Sequence, residues 1–247
     1  MLSRNAAARS KECACTVEKN AYYAAMELEG IFALGQRMLL EALDVVLPER
    51  ARAARIRKKE LCDFPLVPTE HALLSARITT LLDYKDHSVS DLIRALKYEH
   101  SGRAADICAQ ALADYLREEI ASVKTFSPRP VVLVPMPLHK TRVRERGFNQ
   151  MQKVLARLPR EFKDGTISRV EGDALLRTKH TPQQARLSRA ERLKNVADAF
   201  TADAARAKNM HIFLIDDVTT TGATLVSAAK PLRKAGALVT LIALARA

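Results

Sequence analysis

The stretch from Ile212 to Thr224, IFLIDDVTTTGAT, constrains this chain more than any other. His211-Ile212-Phe213-Leu214-Ile215 is a short apolar run without alternation, the mark of a strand buried on both faces as in a parallel sheet. Two carboxylates, Asp216 and Asp217, stand where that strand should emerge. Val218, Thr219, Thr220, Thr221, Gly222, Ala223 and Thr224 then lead into a helix expected over residues 223–235. Gly236 is placed to end that helix, and residues 238–244 read as a last strand. Strand, helix, strand in this order predicts a right-handed crossover and a parallel sheet. Ligands of such sheets lie beyond the carboxyl ends of the strands, where these residues fall.

A turn of this composition exposes several backbone N–H groups, and the helix N-terminus adds the positive end of its dipole. Threonine hydroxyls supply more donors, and Gly222 lets the backbone approach an anion closely. Together they form a phosphate cup. Acids beside an anion need another partner, and a carboxylate accepts hydrogen bonds from vicinal hydroxyls. A ribose 5-phosphate satisfies both demands, with its phosphate in the cup and its 2′ and 3′ hydroxyls on Asp216 and Asp217. Other phosphate loops are excluded, because neither G-x₄-G-K-[ST] nor G-x-G-x-x-G occurs.

Val131-Val132-Leu133-Val134, ended by Pro135-Met136-Pro137, reads as a second buried strand. A basic loop and a helix over about residues 148–158 follow, with weaker strands near Ile167 and at 174–177. Ahead of these, Ser90 is expected to cap a helix reaching Lys97, with Leu92, Ile93 and Leu96 on one face. After an interruption at Gly102, residues 104–123 read as a long helix. Residues 1–82 lack strand alternation and read as helical: residues 21–46 carry an amphipathic stripe, Pro65 and Pro68 break the chain, and a helix is expected over 71–82. The expected organisation is a helical N-terminal region, 1–82, followed by an α/β domain, 83–247.

The formal charge of +12 suits polyanions, either nucleic acid or phosphate-rich small molecules, and suits a solvated Lys/Arg surface as well. The basic run Arg50, Arg52, Arg55, Arg57, Lys58, Lys59 is open in the same way. Aromatic residues make up 5%, which leaves few platforms for stacking bases. No apolar run reaches the roughly 18 residues of a membrane span. Met1 to Ser10 lack the apolar stretch of a secretory signal, so a cytoplasmic location is expected. Cysteines 13, 15, 62 and 108 do not have zinc-knuckle spacing and are expected to be reduced thiols.

The Ile212–Thr224 stretch resembles the ribose-phosphate motif of the type I phosphoribosyltransferases. The resemblance extends further, to the ComF family of competence proteins: Val134-Pro135-Met136-Pro137-Leu138, then Arg142 and Arg146-Gly147-Phe148-Asn149-Gln150, are similar to that family's VPVPL…RGFNQ stretch. So are Thr178…Thr181-Pro182-Gln183-Gln184, Arg192…Asn195, Ala199-Phe200, and the earlier helix Ile93-Arg94-Ala95-Leu96-Lys97-Tyr98. The similarity covers about residue 84 to the end. The departure is at the N-terminus, where family members commonly carry a four-cysteine zinc-ribbon-like module that this sequence lacks.

The resemblance implies a type I phosphoribosyltransferase fold, α/β with a mostly parallel sheet flanked by helices, behind the N-terminal helical region. It implies phosphoribosyl diphosphate or a nucleotide as ligand, Mg²⁺ bridging diphosphate and ribose oxygens, and transfer of phosphoribosyl to an unknown acceptor. Loss of pyrophosphate would leave an oxocarbenium-like sugar. Asp216 and Asp217 would be the catalytic pair and residues 216–224 the phosphoribosyl site. Pro135, Met136, Pro137, Leu138 and Arg146 would hold pyrophosphate, with Arg142 and Arg144 nearby. Residues 179–195 would form a hood contributing Gln184, Arg192 and Asn195. A link to DNA uptake is implied too, with single-stranded DNA and a competence helicase as partners. The alternative is a non-catalytic DNA-binding adaptor. His139 and His180 are possible acid–base groups that nothing places on a substrate.

Overall fold

The computed structural model describes residues 51–178 and 199–247. The expected helix over 21–46, Cys13 and Cys15 lie outside them. The architecture is the α/β class expected, built on a six-stranded sheet. Its strands are β1 (Thr69–Leu73), β2 (Ala76–Asp83), β3 (Val131–Pro135), β4 (Arg169–Val170), β7 (His211–Thr219) and β8 (Leu238–Arg246), in the order β1-β2-β8-β7-β3-β4. Only the β1–β2 pair is antiparallel. β5 (Leu175–Arg177) and β6 (Phe200–Ala202) form a separate antiparallel ribbon.

Alternation along the sheet sends side chains into two cores. Phe213 and Ile215 of β7, with Leu133 and Ile242, pack under α2 (His87–Tyr98), α3 (Gly102–Phe126) and α5 (Gln150–Ala156). Ile212 and Leu214, with Val132, Val134, Ile78 and Leu241, pack under α7 (Ala223–Lys234) and the ribbon, joined by Ala207 of the short α6 (Ala204–Ala207). Leu92, Ile93 and Leu96 of α2 are fully buried, and each removes from water an apolar side chain worth about 1.5–3 kcal/mol. Burial also pushes the Cys108 thiol on α3 up to about 12, which keeps it protonated and inert.

Several expected boundaries move, each for a local reason. Residues 71–82, expected as a helix, belong to the β1–β2 hairpin, so the expected division between 82 and 83 falls inside β2. The β-branched run Ile78-Thr79-Thr80 favours extended backbone, and Leu74 and Ser75, at φ 50° and 63°, make a two-residue turn without the usual Gly or Asn. Asp86, not Ser90, caps α2, its carboxylate accepting from the Ser88 and Val89 amides. The Ser88 hydroxyl, which also donates to this carboxylate, and then the Ser88 amide hold the Asp86 carboxyl below its ordinary range. Gly102 begins α3 rather than interrupting it, behind a Ser101 cap. The basic loop contains a short helix, α4 (Lys140–Arg146), which ends at Gly147 in a left-handed conformation.

The basic run is partly accounted for. Arg52, Arg55 and Arg57 of it lie on α1 (Ala51–Arg57), where Arg52 pairs with Glu99 at 3.0 Å and Arg55 with Asp91 at 2.7 Å. These arginines clamp α1 to α2. Among the described residues, no helix is long and apolar enough to cross a membrane.

Candidate functional site

β3 and β7 run side by side as far as Pro135 and Ile215, where the Met136 amide donates to the Ile215 carbonyl at 2.8 Å. β3 ends there. β7 continues with β8 alone, through Val218–Ala245 and Thr219–Arg246, so the strand runs past Asp216 instead of ending before it. The β-branched Val218 and Thr219 favour that extension. Open parallel sheets hold ligands in the cleft at such a point, beyond the carboxyl ends of their strands, and Asp216 is the first residue of β7 past its pairing with β3.

Alternation then separates the two acids. Asp217 follows Phe213 and Ile215 to the α2 side, where it is buried. Its carboxylate meets the Lys97 ammonium at 2.9 Å and accepts from the Gln150 amide. Gln150 Oε1 accepts in turn from Arg146 at 3.4 Å, and the Arg146 guanidinium lies 5.1 Å over the Tyr98 ring. Burial works against the Lys97 charge, but Asp217 and Asp216 outweigh it and hold the ammonium above its ordinary range.

Asp216 follows Ile212 and Leu214 to the opposite side and is half-buried. Burial first, and the Asp217 charge second, push its carboxyl up to about 7, against the pull of the Asp217 amide, Lys97 and Arg177. Arg177, from β5, is held below its ordinary range by burial and by Arg142. Arg177 thus lies within electrostatic reach of the Asp216 carboxyl on one hand and of a second guanidinium, Arg142, on the other. An arrangement of this kind favours an anion that neutralises the arginines and a hydroxyl that bonds the acid.

The loop after β7 is tightly set. Thr219 is buried, Thr220 is exposed, and the Thr221 hydroxyl accepts from the Ala223 amide at 3.4 Å. Gly222 (φ 77°) precedes α7, and a Cβ there would lie 2.6 Å from Ile78 Cδ1 and 3.1 Å from Leu73 Cβ. Only glycine fits. α7 therefore begins at a fixed point, and the first amides of a helix have no partner within it. Of the other expected loop positions, Val218 and Thr224 are partly exposed and Ala223 is buried. Across the cleft, Asn149 caps α5 and donates to the Met136 carbonyl at 3.0 Å. That bond pins the Pro135-Met136-Pro137-Leu138 loop; Met136 is buried, while Pro137 and Leu138 are partly exposed.

His139 caps α4, its Nδ1 accepting from the Thr141 amide at 3.3 Å. Arg144 is exposed. Gln184, Arg192, Asn195 and His180 lie outside the described residues. For Mg²⁺, Asp216 offers one carboxylate toward the cleft while Asp217 is engaged by Lys97 and Gln150. Among the described residues no group of three or more His, Cys, Asp or Glu side chains could hold a metal ion.

Sequence comparison finds relatives of this chain. A protein from Escherichia coli O6:H1 named DNA utilization protein YhgH is 31% identical over 200 residues, covering 76% of this chain and 83% of that one. Competence protein ComFC of Bacillus subtilis is 39% identical over 113 residues, 46% of this chain and 42% of its own length. Competence protein F of Haemophilus influenzae is 35% identical over 111 residues, 43% and 46% of the two chains. The chain belongs to the ComF family. No protein-family model matches it. A solved phosphoribosyltransferase from Corynebacterium diphtheriae overlays at a TM-score of 0.33 with 19% identity, across 62% of this chain and 69% of that one.

In this ComF-family chain the separate sequence motifs meet at one place. IRALKY supplies Lys97 and Tyr98, RGFNQ supplies Arg146, Asn149 and Gln150, and DDVTTTGAT supplies the acids and the turn after them. Three of the residues that shape the site were not assigned roles from sequence: Lys97, Gln150 and Arg177. A signal for Lys97 exists. It falls at the i+4 and i+8 positions from Ile93 and Val89 on the buried stripe of α2, where a lysine needs a partner.

Proposed function

We propose that this protein binds phosphoribosyl diphosphate, or a ribose 5-phosphate nucleotide, at the carboxyl end of β7 and transfers the phosphoribosyl group to an acceptor. The observation that carries the reading is Asp216, the first residue of β7 past its pairing with β3, within electrostatic reach of Arg177, which Arg142 faces in turn, with the threonine–glycine turn following it in the chain. In this reading the 5′ phosphate sits on the amides of Thr220, Thr221 and the first turn of α7. Asp216 accepts from the ring hydroxyls. The diphosphate faces Arg142, Arg177 and the Pro135–Leu138 loop. Asp217 acts through the structure, tying β7 to Lys97 and Gln150.

The chemistry requires stabilising a departing pyrophosphate and excluding water. With a single carboxylate turned to the cleft, Mg²⁺ fits as an ion carried mostly by ligand oxygens, with Asp216 as its protein contact. When bound it would neutralise charge on the leaving group. The names of the relatives support placing this activity in the service of DNA utilization or competence.

The test is calorimetric titration with phosphoribosyl diphosphate, with and without Mg²⁺, on the native chain and on Asp216→Asn. Binding to the native protein that the variant loses is expected. Undiminished binding by the variant refutes the assignment of Asp216. Asp217→Asn is a poor probe, because it would leave the Lys97 ammonium buried without a counter-charge.

A second reading is a non-catalytic adaptor that holds single-stranded DNA and works with a competence helicase. The exposed Arg144, on the same short helix as Arg142, and the net charge of +12 favour it. Binding would then fall steeply with salt and weaken in Arg144→Ala. Salt-independent affinity would exclude it.

A further inference from the structure

Next to the phosphate turn, on the side away from β3, a cavity of about 590 Å³ lies over the carboxyl ends of β2 and β8. It touches the site directly. Thr219 is the register partner of Arg246, and the Ala247 amide donates to the Thr219 carbonyl at 3.0 Å. One wall is apolar, from Val67 and Leu82. The other is a chain of hydrogen bonds: Arg246 donates to His71 Nδ1 at 2.7 Å, and His71 Nε2 lies 2.9 Å from the Thr80 hydroxyl. Burial and the Arg246 charge lower the His71 pKa, so the ring stays neutral and can accept from the guanidinium. Arg246 forms no ion pair with a carboxylate among the described residues. Lys85 adds a second cation to the rim, and Asp83 is the opposing charge there.

A nucleotide seated as described above has its ring over Asp216 and its 5′ phosphate in the turn. Whatever is esterified to that phosphate is delivered toward β8 and β2, one to two strand spacings of about 4.8 Å away. Phosphoribosyl diphosphate has nothing there. An oligonucleotide has its preceding nucleotide.

We propose that the cavity between β1, β2 and β8 is a second nucleotide subsite, which with the phosphate turn grips the 3′-terminal two nucleotides of a single strand. The last sugar must keep a free hydroxyl for Asp216, which restricts the ligand to a 3′-hydroxyl end. Arg246, held by His71, meets the next phosphate, and Val67 and Leu82 flank the preceding nucleoside. The cavity is in the range of sites for ligands of that size, about 300–1,000 Å³. The inference rests on the ribose-phosphate reading of the turn and extends it from a single nucleotide to a strand end.

The test compares phosphoribosyl diphosphate with hexathymidylate ending in a 3′ hydroxyl or a 3′ phosphate, using the full chain, Arg246→Ala and His71→Ala. Arg246→Ala should weaken hexathymidylate about tenfold and make its log–log salt dependence shallower by about 0.7, the value of one lost single-strand phosphate contact. Affinity for phosphoribosyl diphosphate should stay within about twofold of native, and the 3′ phosphate should abolish the preference for the strand end. His71→Ala should give the same selective loss, which guards against a folding defect in either variant alone. Equal weakening of both ligands, hexathymidylate insensitive to Arg246, or tolerance of the 3′ phosphate would overturn the subsite. If phosphoribosyl diphosphate binds and hexathymidylate does not, this inference alone falls. If neither binds, the ribose-phosphate reading falls with it.

Discussion

The Lys97 ammonium and the Asp217 carboxylate are buried together, their side chains 17% and 7% exposed. Removing one partner of such a pair leaves a charge with neither water nor counter-ion, at a cost of about 3–5 kcal/mol. Lys97→Met should therefore lower the urea-unfolding free energy by that order, and adding Asp217→Asn should restore part of it. A double variant as unstable as the single losses added together would show that the two groups are not coupled. Asp216 makes the opposite contribution. Its folded-state carboxyl is raised to about 7 from an ordinary value of 3.8, so between those limits the folded state binds more protons than the unfolded state. Stability from this group is full below 3.8 and is lost as pH rises through about 7. Asp216→Asn should flatten the decline in melting temperature between about pH 4 and pH 7; a decline unchanged in the variant would remove Asp216 as its source. The adjacency of the two acids was plain in the sequence. Their division was legible only once the strand was known to run through them, because alternation then assigns opposite sides.

Elements carry a different kind of constraint. The turn between β7 and α7 is fixed from beneath by the β1–β2 hairpin, since Leu73 and Ile78 occupy the space a Gly222 side chain would need. Gly222→Ala should cost about 1–3 kcal/mol, from positive φ and overpacking combined. Gly165 separates the two effects: it has φ 91° and open space within 4 Å of where a Cβ would stand, so Gly165→Ala carries the backbone strain alone. Thermal unfolding of both variants measures the difference. Equal losses would mean that hairpin contact does not set the turn. This dependence could not be read from residues 71–82. Their apolar positions fit either period, and the Leu74-Ser75 turn lacks the residues that usually announce a hairpin. β7, α7 and β8 were legible because a continuous apolar strand, a glycine turn and a helix with its own stop signal agree with one another along the sequence.

At the scale of the molecule, the site is assembled from segments distant in sequence and lying on both faces of one sheet. Lys97, Gln150 and Asp217 join α2, α5 and β7 on one side; Asp216, Arg177 and the turn join β7, β5 and α7 on the other. Both cores are built on the same strands, so neither face can unfold without exposing the other. A ligand in the cleft should then stabilise the whole described domain rather than one loop. At a hundredfold excess over its dissociation constant it contributes about 2.7 kcal/mol, which for a domain of this size raises the melting temperature by about 5–10 °C. Scanning calorimetry with phosphoribosyl diphosphate and Mg²⁺ should show a single transition moved upward as a unit, and no movement in Asp216→Asn. A shift that persists in the variant would place the ligand elsewhere. A transition that splits, with only one part moving, would mean that the two faces of the sheet unfold separately, and that the strands they share do not couple them.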